Sequence, residues 1–87
     1  MRIQFLEPKV LAEIQTKEGT FLQHYDSIVA YIPTHGVDRT IELGEDWGYS
    51  RTTMKHVNHF LNSSTAKIRS NIKSNKWKVN ENLGEEI

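Results

Sequence analysis

The sequence predicts an α+β domain: an antiparallel sheet of three to five strands with two short helices packed on one face. Three observations carry this expectation. Apolar residues alternate with period two through the first half of the chain, and they recur at helical spacing from residue 51 onward. Strand patterns come first and helix patterns second, the order of α+β rather than α/β chains. With 87 residues and no cysteine, the chain fits a single domain whose small core holds without disulfides or thiolate metal sites.

Residues 9–16 place Val10, Ala12 and Ile14 on one side of a strand, and Lys17-Glu18-Gly19 reads as a turn with Gly19 available for a positive φ. Residues 20–25 continue as a second strand, with Phe21 and Tyr25 opposite in pleat to Leu22 and His24. Residues 27–33 are the most apolar run, with Ile28, Ala30 and Ile32 facing one way and Val29 and Tyr31 the other. A strand apolar on both faces is expected at the centre of a sheet. Pro33 ends it. Val37, Arg39, Ile41 and Leu43 then alternate with Asp38, Thr40 and Glu42 as a half-exposed strand, which completes a three- or four-stranded meander.

Gly44 to Tyr49 lead into the first helix, for which Ser50 is a suitable N-cap. Met54, Val57, Phe60 and Leu61 form a buried stripe over residues 51–62, and Arg51, Lys55, Asn58 and Asn62 line the opposite side. His56 and His59 lie on the flank. Asn62-Ser63-Ser64 breaks this helix, and Ser63 or Ser64 caps the next. There Thr65, Ile68 and Ile72 mark the core side, and Arg69, Lys73 and Lys76 form a basic stripe. Trp77 and Val79 alternate with Lys76 and Lys78 like a short last strand. The domain is thus expected over residues 1–80, followed by a flexible acidic tail over 81–87.

The net charge of zero conceals a segregation. Residues 1–46 sum to −4, residues 47–80 to +7 without a single acid, and residues 81–87 to −3. Such a chain is expected to have a positive and a negative side. The N-terminus is too polar for a signal peptide, and no apolar run approaches the ~20 residues of a membrane span. The cytoplasm is therefore the expected location, with no membrane partner.

Few patterns point to catalysis. His56 and His59 are three apart on a helix, but a zinc site would need His24, His35 or a carboxylate to complete it. Ser50 lacks the second glycine of a nucleophile elbow, and the glycines are scattered as turn residues. No enzyme activity, metal or cofactor is expected. Binding is the better-supported class. Trp47 and Tyr49, with Arg51, Lys55, His56 and His59, are candidate partner-binding residues, because aromatic and arginine anchors dominate interfaces. Arg69, Lys73, Lys76 and Lys78 are candidate nucleic-acid contacts to phosphates, with Asn58, Asn71 and Asn75 within the same region for base edges.

The segment Ser50-Arg51-Thr52-Thr53-Met54-Lys55-His56-Val57-Asn58-His59-Phe60, with Tyr25–Ile32 before it, resembles a family of very small uncharacterised phage and prophage proteins. These share a Ser-x-Thr-Thr-x-Lys/Arg-His-x-Asn-x-Phe segment after an antiparallel meander, and the similarity covers residues 9–61. The resemblance implies a phage setting and a protein that acts by binding. On that footing the chain is expected to occlude a host or defence nucleoprotein of the CRISPR type. The alternative is a DNA- or RNA-binding regulator that uses the basic two-helix region 51–78.

Overall fold

The computed structural model describes residues 2–7, 10–34 and 40–85. Six strands and two helices follow one another as β1 (Arg2–Glu7), β2 (Leu11–Gln15), β3 (Gly19–His24), β4 (Ser27–Pro33), β5 (Glu42–Leu43), α1 (Arg51–Leu61), α2 (Thr65–Lys73) and β6 (Lys78–Val79). The α+β class is as expected, but the sheet is larger and mixed. The strands lie in the order β1-β2-β3-β4-β5-β6, antiparallel except for the parallel pair β5–β6. The parallel pair arises because both helices intervene between β5 and β6 and return the chain in the same direction.

β1 is the strand that alternation does not announce. Its period-two pattern lasts only through Ile3 and Phe5, and the register against β2 shifts between Phe5 and Glu7. Of the strand expected over residues 37–43, Glu42–Leu43 form β5, Thr40 and Ile41 are not in strand, and residues 37–39 lie outside the described residues.

The β2–β3 turn is held by Thr16, whose hydroxyl oxygen accepts from the Gly19 amide at 3.2 Å and the Glu18 amide at 3.3 Å. Gly19 does not use the positive φ available to it; it opens β3 instead. A Cβ there would meet the Ile32 carbonyl and come within 2.6 Å of the Tyr31 ring, so glycine is required for close approach to β4. Tyr25, expected within a strand, turns the chain with a φ of 55°.

Pairing fixes which residues share a face. Leu22, Ala30 and Leu43 are cross-strand partners on the face that carries the helices. Val29 joins them. The register skips it between Gln23↔Ile28 and Leu22↔Ala30, and this β-bulge turns Val29 to the same side as Ala30, where strict alternation opposes them. Val57 and Leu61 of α1 and Ile68 of α2 close this core, with Trp47, Phe60, Ile72 and Trp77 packed around it.

The second face is formed by Ile3, Ile14, Phe21 and Tyr31 in one row and by Phe5, Ala12, Gln23 and Ile28 in the next. Among the described residues no helix covers it. Phe21 and Tyr31 lie ring against ring at 4.4 Å, and the turns over 80–85 bring Gly84 against the Ile28 side chain.

Candidate functional site

α1 begins at Ser50, whose extended backbone and side-chain oxygen, accepting from the Thr53 amide at 3.1 Å, make it an N-cap. The Thr53 hydroxyl lies 3.0 Å from the Ser50 hydroxyl and 3.0 Å from Nδ1 of His24 at the end of β3. Thr53 and His24 are only 3% and 6% exposed. The ring of His24 lies 5.0 Å from that of His56, and Nε2 of His56 is 3.7 Å from the Glu7 carboxylate. A polar line therefore runs beneath α1 through Ser50, Thr53, His24, His56 and Glu7.

Burial, and secondarily His56, push the His24 pKa below the ordinary histidine value, against a weaker upward pull from Glu7. His24 is thus neutral at pH 7. Nδ1 and the Thr53 hydroxyl satisfy each other, and Nε2 is buried without a hydrogen-bond partner. A cavity of about 220 Å³ opens beside this line, bordered by Tyr25, Ser27, Asp46 and Tyr49 as well as Ser50 and Thr53. The Ser50 hydroxyl is committed to the cap and to Thr53, and no base lies on it within hydrogen-bond reach among the described residues. Nor do three or more His, Cys, Asp or Glu side chains converge as metal ligands among the described residues. His56 turns towards Glu7, His59 is exposed, and His35 lies outside the described residues.

The predicted partner-binding residues separate into two groups. Tyr49 stands 84% exposed beside Arg51, Lys55 and His59, all exposed. Trp47 is half-buried against the core, so its ring is a wall of the fold rather than a free anchor. His56 is half-buried and engaged beneath the helix.

Arg69, Lys73, Lys76 and Lys78 are all exposed, as is Lys67. Among the described residues no lysine or arginine forms an ion pair; the 3.7 Å contact between Nε2 of His56 and Glu7 is the one approach of a basic side chain to a carboxylate within 4 Å. Two of the three asparagines expected to reach bases are turned inward. Asn58 donates to the Thr65 hydroxyl at 2.9 Å and so clamps α1 to α2 across Asn62-Ser63-Ser64. Asn71 is half-buried with its side-chain amide nitrogen shielded, and its backbone carbonyl accepts from the Lys76 and Trp77 backbone amides. Asn62 ends α1 in the left-handed region with φ 51°, and Ser64 caps α2 by accepting from the Lys67 amide at 3.2 Å.

Sequence reasoning missed Thr53 and His24 as a pair. They are 29 residues apart, and the one local signal was a threonine where the α1 stripe needs an apolar residue.

The fold and this surface define a small α+β domain with a uniformly basic helical layer. The chain belongs to DUF8033, a family of unknown function, which matches residues 6–79. No curated protein and no solved structure matches it. Among the described residues no helix is long and apolar enough to cross a membrane.

Proposed function

We propose that the chain is a small non-enzymatic binding protein that occludes a host or defence nucleoprotein of the CRISPR type. The helical layer is its contact surface. One observation carries this: Tyr49 just before α1, Arg51, Lys55 and His59 on α1, and Lys67, Arg69 and Lys73 on α2 are all exposed, and residues 47–80 contain no acid. Such a layer suits a surface rich in phosphate or carboxylate, with Tyr49 as the aromatic anchor. The resemblance of residues 9–61 to small phage proteins supplies the setting. Capture from host lysate, with and without nuclease, tests it. The expected result is one stoichiometric protein partner, retained after nuclease and lost with Tyr49→Ala combined with Lys55→Glu. A capture that enriches no protein defeats the proposal.

Direct DNA or RNA binding is the second reading, favoured by the exposed group Arg69, Lys73, Lys76 and Lys78 around α2 and β6. With Asn58 and Asn71 turned inward, such binding rests chiefly on phosphates, and Asn75 is the exposed asparagine left of the three for a base edge. The double variant Arg69→Glu/Lys73→Glu should then lower the slope of log affinity against log salt by about 2. Absence of any salt-sensitive shift of DNA or RNA by the wild-type chain rules it out.

A further inference from the structure

We infer that β1 is a self-pairing edge, through which two copies of the chain join their sheets about a two-fold axis perpendicular to the sheet. This surface is separate from the basic helical layer. β1 ends the strand order, so its outward N–H and C=O groups have no strand partner among the described residues. All six of its residues are exposed, including Ile3 at 53% and Phe5 at 63%. Edge strands are normally blunted by charge, proline or a bulge, or are covered. In β1 the charges Arg2 and Glu7 and the register shift beyond Phe5 stand at the strand's two ends and leave Ile3, Gln4 and Phe5 between them open.

The strand is complementary to itself in one register. An antiparallel neighbour about such an axis keeps each face of the sheet on its own side, so paired residues must come from the same face. Centring the axis on Gln4 sets Ile3 of one copy opposite Phe5 of the other, twice. Both lie on the face that no helix covers, continuing the row of Ile14 and Ala12 that they already pair with in β2. Next outward, Arg2 of each copy meets Leu6 and Glu7 of the other, because the register shift between Phe5 and Glu7 makes those two residues share one position. Arg2 and Glu7 pair with Gln15 and Leu11, which places both on the helix face, and the Glu7 side chain remains 55% exposed beside His56. Two cross-strand ion pairs thus flank two apolar pairs.

The product is an isologous dimer with one continuous sheet of twelve strands, β1 to β6 of each copy, towards the upper end of what open sheets reach. Because the axis preserves faces, both basic helical layers end on the same side. A polyanionic target therefore meets two copies of the contact surface at once, and avidity follows without any new contact.

Sedimentation equilibrium over a wide concentration range tests this. The wild-type chain should show a reversible monomer–dimer equilibrium. Arg2→Glu alone sets Glu against Glu7 twice, and Glu7→Arg alone sets Arg against Arg2 twice, so each should dimerise about tenfold more weakly. Mixed in equal amounts, the two variants should restore association as a heterodimer, because every flanking pair is again opposite in charge. Restoration also shows that both variants are folded. A wild-type chain that stays monomeric at millimolar concentration overturns the inference. So does a mixture that associates no better than either variant alone.

Discussion

The two faces of the sheet are built from similar residues and are finished differently. On the helix face, Leu22, Val29, Ala30 and Leu43 are sealed by Val57, Leu61 and Ile68, and none of these but Leu61 exceeds 1% exposure. On the other face Ala12 and Ile14 are buried, yet their cross-strand partners Phe5 and Ile3 in β1 are exposed. The helical layer makes the first face a core. The second has no helix over it among the described residues, and the 80–85 turns lie against it at Ile28. The comparison teaches that burial in this fold follows from what lies above a residue and not from its own hydrophobicity.

The largest expected effect comes from breaking the sealed face. Leu43→Ala removes a fully buried side chain beneath both helices and should cost about 2–5 kcal/mol in urea denaturation. Phe5→Ala, a larger deletion on the open face, should cost a monomer less than about 1 kcal/mol. Equal losses would mean that the two faces are equivalent and that the contrast is wrong.

The smaller effects test how each face is closed. Thr53→Val keeps the shape beneath α1 but removes the hydroxyl shared by Ser50 and His24, leaving Nδ1 of His24 buried without a partner. About 1–3 kcal/mol should be lost, although the change makes the core more apolar. On the open face, Gly84 has φ +89°, and a Cβ there would run into the Ile28 side chain. Gly84→Ala should cost about 1–2 kcal/mol if the C-terminal turns are part of that face, and nothing measurable if they are not. Thermal melts of the same set would rank the sites independently.

What the sequence displays and what it hides follow from the range of the forces involved. The hairpin of β2 and β3, the central β4 and both helices are legible because periodicity and capping act within a few residues, as at Ser50 and Ser64. The bulge at Val29 is not, because alternation has no sign that a register will skip. β1 is hidden by the brevity of its pattern, and the parallel β5–β6 pair by the two helices between its strands. At the candidate site, the exposed bases are read directly from charge, whereas Trp47 as a core wall and Asn58 as a clamp between helices emerge only from packing. His24 is the extreme case. Its partners Thr53, His56 and Glu7 come from two other elements, and nothing adjacent in the chain marks it as buried.

That histidine also gives the subtlest way to sharpen the contrast, because the shifted group on the open face, Tyr31, is pushed upward by burial and by Glu18 and Glu42 and so does not respond in acid. In the unfolded chain His24 takes up a proton near its ordinary pKa of 6.5, while in the fold burial and His56 hold its pKa lower. Between those two values the unfolded chain binds a proton that the folded chain does not. Stability is therefore full above pH 6.5 and falls as the pH drops below it, by at most about 1.4 kcal/mol per pH unit. Urea midpoints taken from neutral to mildly acidic solution should show this fall in the wild-type chain. His24→Gln should flatten it whatever its effect on absolute stability. Glu7→Gln should extend it to lower pH, since removing the carboxylate withdraws the one interaction that favours the charged ring. A slope that survives His24→Gln unchanged would assign it to another group and leave the polar line under α1 without a role in the pH response.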